Sequence, residues 1–144
     1  MNHPELLSAL KLDRFIAFDF ETTGLEVATD RPIEVAAVLF EQGQPIDRFC
    51  TLINPELPIS KLIQDITGIT NDMVIDAPKE SDVIDNLLNF LSDIPIVAHN
   101  TPFDVAFLEA MAQRNGKELI NRTYYDTLTL SRAFLFFQPS HNLS

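Results

Sequence analysis

The chain has 144 residues, 46% of them apolar and 22% charged, which suits one globular domain and argues against disorder. Ten Lys and Arg against 21 Asp and Glu give a net charge of −11, and no two basic residues are adjacent, so a protein held on nucleic acid by its own basic patch is disfavoured. One Cys cannot form an internal disulfide, no apolar run reaches the ~18 residues of a membrane span, and the amino end carries no basic-then-apolar leader, so a cytoplasmic protein is expected.

Phe15 to Glu21 is a short apolar run carrying two acids, and its length and aromatic content predict a strand ended by Thr22-Thr23-Gly24. Ile33 to Phe40 predicts a second strand. Gln42-Gly43-Gln44 predicts a hairpin turn into a third, from about Ile46 to Ile53, broken by Asn54-Pro55 and Leu57-Pro58. Residues 54–77 read as irregular, apart from a turn of helix near Ser60 to Gln64. Beyond Pro78, Val83, Ile84, Leu87, Leu88 and Leu91 keep helical spacing. Ile94 to Ala98 reads as a strand. Thr101-Pro102 opens a helix with the stripe Phe103, Ala106, Phe107, Ala110 and Met111, stopped by Asn115-Gly116. Tyr124-Tyr125 predicts a short strand and Asp126 to Phe137 a further helix. Three strands joined by turns, followed by alternating helix and strand, describe an α/β domain with a mixed sheet.

The acids are the unusual feature. On a strand Asp19 and Glu21 project from one face, together with Phe15 and Ala17, while Ile16, Phe18 and Phe20 lie behind. Two like charges at the end of an apolar strand repel and lose hydration, which a hard divalent cation such as Mg²⁺ or Mn²⁺ would relieve. An early end to the strand, leaving both acids solvated, accounts for them equally simply. Asp104 follows the junction of a strand and a helix, where Thr101 serves as N-cap and Asp104 as the acid of a capping box. If the strand from Ile94 to Ala98 lies beside the first, Asp104 also approaches Asp19 and Glu21.

Phe18-Asp19-Phe20-Glu21-Thr22-Thr23-Gly24 resembles the first motif of the DEDD superfamily of 3′→5′ exonucleases, which includes the proofreading epsilon subunit of bacterial replicative DNA polymerase and ribonuclease T. Ala98-His99-Asn100-Thr101-Pro102-Phe103-Asp104 resembles the second motif. Ile66-Thr67-Gly68-Ile69-Thr70 resembles a loop bordering the substrate groove, and Tyr125-Asp126-Thr127-Leu128 a further family segment. The resemblance implies a ribonuclease-H-like fold and release of nucleoside monophosphates from a 3′ end of DNA or RNA. It implies that Asp19, Glu21 and Asp104 bind two Mg²⁺ or Mn²⁺ ions and carry catalysis. Two such ions about 4 Å apart can hold both the attacking water and the departing 3′ oxygen. It also implies that Thr22, Thr23, Gly24 and Leu25 meet the terminal nucleotide, with Leu25 against its base, and that Asn100 and Phe103 line or support the groove.

The family's third motif places a His five residues before an Asp, whereas this sequence ends at His141-Asn142-Leu143-Ser144. The expectation is therefore a single exonuclease-like domain over residues 1–144, incomplete at its C-terminus, lacking the final helix and weak or inactive alone. Ser140 to Leu143 then opens a helix upstream of the third motif; a minority reading makes His141 the general base. Phe134, Leu135, Phe136 and Phe137 form an apolar cluster whose exposure would favour self-association. Expected partners are single-stranded 3′ ends and a polymerase subunit, with no membrane. The competing readings are a non-catalytic module that binds nucleic-acid ends or a polymerase, and a structural domain with a Ca²⁺ site.

Overall fold

The computed structural model describes Glu5, residues 12–119 and residues 123–127. Strict alternation builds its first strand: β1 (Arg14–Thr22) buries Ile16, Phe18 and Phe20 and leaves Phe15, Ala17, Asp19 and Glu21 on the more accessible face. β2 (Pro32–Glu41) runs antiparallel to it and alternates in the same way, burying Ile33, Val35, Ala37 and Leu39. Gln42 and Gly43, with φ of 49° and 79°, turn the chain into β3 (Gln44–Leu52), which pairs antiparallel with β2. Positive φ at both central residues matches the twist of a tight hairpin. The turn is thus two residues, one fewer than the sequence suggests.

Residues 54–77 are more regular than expected. They contain α1 (Lys61–Thr67) and α2 (Asn71–Val74). The periodicity gave no warning because α1 buries none of its residues; Leu62 and Ile66 face outward at 66% and 69% exposure. Caps hold these short helices instead. The Ser60 hydroxyl accepts from the Ile63 amide, Gly68 ends α1 at φ 76°, and the Thr70 hydroxyl accepts from the Met73 amide. Beneath them Ile33, Ile59, Ile69 and Val74 form a small buried cluster of their own.

α3 (Glu80–Leu91) follows the expected stripe and buries Val83, Ile84, Leu87 and Leu91. β4 (Ile96–Ala98), entirely buried, pairs in parallel with β1. α4 (Thr101–Arg114) then crosses the sheet, and β5 (Tyr124–Asp126) pairs in parallel with β4. The sheet order is β3-β2-β1-β4-β5, an α/β arrangement with antiparallel and parallel halves meeting at β1. α3 and α4 supply Leu87, Leu91, Phe107, Leu108 and Met111 to the main core against Ile16, Phe18 and Phe20. Arg114 ties the two helices by donating to both carboxylate oxygens of Glu80 at 2.8 and 2.9 Å.

Three details of this half differ from the sequence reading. The buried stripe of α4 is Asp104, Phe107, Leu108, Met111 and Ala112, whereas Phe103, Ala106 and Ala110 are only half-buried. The N-cap is Asn100, not Thr101, and Asp104 closes no capping box. Asp126 belongs to β5 rather than to a helix. Thr101 stands one residue inside α4, and its hydroxyl donates to the Tyr125 carbonyl at 2.8 Å, with the Ala98 carbonyl 3.3 Å away. Replacing Thr101 by Val is therefore expected to cost about 1 kcal/mol in chemical denaturation, by removing the donor that joins α4 to β5. The rest of the expected helix to Phe137, the Phe134–Phe137 cluster, His141 and the final helix lie outside the described residues. No described helix is long and apolar enough to cross a membrane.

Candidate active site

The end of β1 gathers the acids. Asp19 and Glu21 share the face opposite the core, close enough for each carboxyl group to act on the other's ionisation. Both groups lie above their ordinary values. For Asp19 the first cause is burial, opposed by the neighbouring His99 ring; for Glu21 it is burial, reinforced by the charges of Asp19 and Glu34. Glu34 is the cross-strand partner of Glu21 in the β1–β2 register. Immediately beyond this pair the register slips, so that Thr22 faces Pro32 and Ile33 bulges. Bulges of this kind re-aim side chains at the end of a ladder.

Asp104 reaches the same place from the first turn of α4. It is only 3% exposed, and its Oδ1 accepts a hydrogen bond from the Phe20 amide at 3.0 Å. Its position on the core-facing stripe of α4, one turn before Leu108, aims the carboxylate at β1. Burial is the main reason its pKa is pushed up to about 6; the Phe20 amide opposes the rise, and Asp19 and Glu21 add to it. The three sequence-predicted acids thus interact with one another at one end of the sheet. Among the described residues, however, no three His, Cys, Asp or Glu side chains are drawn together closely enough to form a ready-made metal cage.

The donor set nevertheless fits hard divalent cations. It consists of carboxylate oxygens, and every one of the three groups is held above its ordinary pKa by desolvation, the condition that an added positive charge reverses. His99 lines a shallow groove together with Asp19, Ala36 and Val38, its Nδ1 3.0 Å from the Thr127 hydroxyl.

The expected nucleotide-facing residues fall into two groups. Leu25 is 80% exposed at the tip of the loop after β1. Thr22 and Thr23 are buried and their hydroxyls are used within that loop: Thr22 donates to the Gly24 carbonyl at 2.6 Å, Thr23 to Asp30 at 2.8 Å. Asn100 is exposed, and its side chain makes no capping bond. Phe103 packs against the core with its ring 4.7 Å from that of Phe107, which makes it wall rather than open surface. Sequence reasoning passed over Glu34, Asp30 and His99. An acid inside the apolar run Ile33–Phe40 was the available signal for Glu34, whereas the other two depend on tertiary placement.

The exonuclease family model, of RNase T type, matches residues 16–144. The PolC-type DNA polymerase III of Bacillus cereus is 42% identical over 132 residues, covering 92% of this chain and 9% of that protein. The PolC-type polymerase of Thermotoga maritima is 40% identical over 121 residues, covering 84% of the chain and again 9% of the relative. The chain therefore spans less than a tenth of the length of these curated relatives. Among solved structures, E. coli exonuclease I in complex with a 5cy-dA13 oligonucleotide superposes with a TM-score of 0.76 at 21% identity, over 88% of this chain and 31% of that one. This likeness bears on the fold, and it agrees with the ribonuclease-H-like sheet. The sequence match and the fold together give the conclusion that this chain belongs to the exonuclease family.

Proposed function

We propose that the chain is a metal-dependent 3′→5′ exonuclease domain that releases nucleoside monophosphates from single-stranded DNA or RNA ends. The observation that carries this reading is the convergence of Asp104 with Asp19 and Glu21, three carboxylates held against their preference for charge at the end of an apolar strand. Asp19, Glu21 and Asp104 would hold two Mg²⁺ or Mn²⁺ ions, which supply Lewis-acid activation of water and neutralise charge on the phosphate. The residues do the rest. The buried Asp104 carboxylate is fixed by the Phe20 amide, so its second oxygen keeps one direction relative to β1. Leu25 offers an apolar contact to a terminal base without reading sequence, and Phe103 backs the groove. With a net charge of −11, affinity for a phosphate backbone depends on the bound cations or on a polymerase partner.

The domain would act as one unit, and the PolC-type relatives support a role beside a replicative polymerase. The test is a 5′-labelled single-stranded oligonucleotide incubated with the chain, and with the chain extended by the following segment of a PolC-type relative. One-nucleotide steps from the 3′ end that require Mg²⁺ or Mn²⁺ are expected, faster with the extension. No shortening by either protein, with retained oligonucleotide binding, overturns catalysis in favour of a binding module. Thermal shifts by Ca²⁺ equal to those by Mn²⁺, with no effect of nucleotide, favour a structural site. Leu25→Ala is expected to raise KM about tenfold while leaving the thermal midpoint unchanged, because the side chain is exposed and its contact exists only with substrate bound.

A further inference from the structure

Asp30 closes the loop between β1 and β2 from inside. Its Oδ1 accepts from the Thr23 hydroxyl at 2.8 Å and its Oδ2 from the Glu26 amide at 2.9 Å. The Thr23 hydroxyl oxygen also accepts from the Arg31 amide at 3.0 Å, and the Thr23 amide donates to the Arg31 carbonyl at 2.9 Å. The Asp30 amide donates to the Glu26 carbonyl at 2.7 Å. One carboxylate thus joins both sides of the loop that carries Gly24 and Leu25.

Gly24 fits this arrangement for a steric reason. A Cβ placed there would stand 2.4 Å from Asp30 Oδ2 and 2.7 Å from its Cγ, closer than such atoms approach. Gly24 is not among the glycines with positive φ, so its backbone conformation is open to alanine. The obstacle to a side chain at position 24 is the Asp30 carboxylate itself. The two positions are therefore coupled through one group.

We propose that Asp30 is a positioning residue for nucleotide binding, locking the Thr23–Glu26 loop so that Leu25 is presented to the terminal nucleotide. The proposal rests on the exonuclease reading. A loop already held in its binding conformation loses less freedom when the ligand arrives, so the lock acts on affinity. Among the described residues, the hydrogen bonds of the Asp30 carboxylate go to the loop and none to Asp19, Glu21 or Asp104. Metal affinity and the chemical step are accordingly left alone.

The experiment compares the parent chain with Asp30→Ala, Asp30→Asn, Gly24→Ala and the double variant Gly24→Ala/Asp30→Ala. Affinity for a nucleoside 5′-monophosphate in saturating Mn²⁺ and affinity for Mn²⁺ alone are measured by calorimetry, and KM and kcat on a single-stranded oligonucleotide. Asp30→Ala is expected to weaken the nucleotide and raise KM about tenfold, with Mn²⁺ affinity and kcat within about twofold of the parent. Asp30→Asn keeps the acceptor for Thr23 and loses the one for the Glu26 amide, so its effect falls between. Gly24→Ala weakens the nucleotide in the parent and adds nothing in the Asp30→Ala background, because the clashing group is gone. Unchanged nucleotide affinity in Asp30→Ala, a parallel loss of Mn²⁺ affinity, or fully additive penalties overturn the proposal alone. A parent that binds no nucleotide and, even when extended by the following segment of a PolC-type relative, does not shorten the oligonucleotide overturns the exonuclease reading, and the proposal with it.

Discussion

Asp19→Asn is expected to reduce Mn²⁺-supported release of mononucleotides by at least about a hundredfold, since even groups that only orient a metal ligand are worth up to that much. The substitution keeps the size of the side chain and removes one negative charge from a cluster that contains Glu21 and Glu34. With the Asp19 charge gone, Glu21 ionises more readily. Asp19 lies on the accessible face of β1, away from Ile16, Phe18 and Phe20, and contributes nothing to core packing. The thermal midpoint in chelator should therefore hold or rise. Calorimetric titration with Mn²⁺ and a melt in EDTA check both halves. Full activity, or a strongly destabilised protein in EDTA, would falsify the assignment of Asp19 as a ligand.

The second large effect is a dependence on pH. Asp104 titrates near 6 in the folded chain against 3.8 for an ordinary aspartate, chiefly through burial. Between those values the folded state binds the proton that the unfolded state has released, so stability falls as pH rises through that window and is flat above it. The sign is opposite to that of a salt-bridged aspartate. Asp104→Asn should accordingly raise stability at pH 7 in chelator by roughly 1–2 kcal/mol and flatten the pH profile, because the Asn oxygen still accepts from the Phe20 amide without carrying charge. In the parent chain, Mn²⁺ must displace that proton, so its affinity should drop about tenfold per pH unit below about 6. A Mn²⁺ affinity that stays level from pH 7 to pH 5 would contradict a ligating Asp104.

The three acids of the proposed site differ in how visible they are in the chain. Asp19 and Glu21 stand out because polar groups interrupt an apolar run of strand length, and the alternation that exposes them follows from the pleat. Asp104 looks like an ordinary helix-start acid, and the phase of α4 read from Phe103, Ala106 and Ala110 turns it away from the core. The observed phase, set by Leu108 and Ala112 with Phe107 and Met111, turns it inward. Small alanines carry too little apolar weight to fix the rotation of a helix, so the resemblance to a family motif located Asp104 better than periodicity did. α1 was legible only as a turn near Ser60 to Gln64, for a related reason: its capping residues, Ser60 and Gly68, are local signals, and no buried stripe accompanies them. Asp30 reads as a loop acid, and its role exists only once Gly24 is folded over it.

The Gln42–Gly43 turn stands at the opposite end of the strands from the carboxylates, since Glu41 pairs with Arg14 at the start of β1 while Asp19 pairs with Ala36. Five residue steps along β1 separate the two levels, roughly 16 Å at the rise of a strand. Gly43, at φ 79°, would strain any side chain placed there, but the neighbouring Gln42 already carries one and is exposed. That tip is accordingly a place for grafting a fluorophore, an affinity tag or a tether to a surface, from which the chain could be followed without disturbing its chemistry.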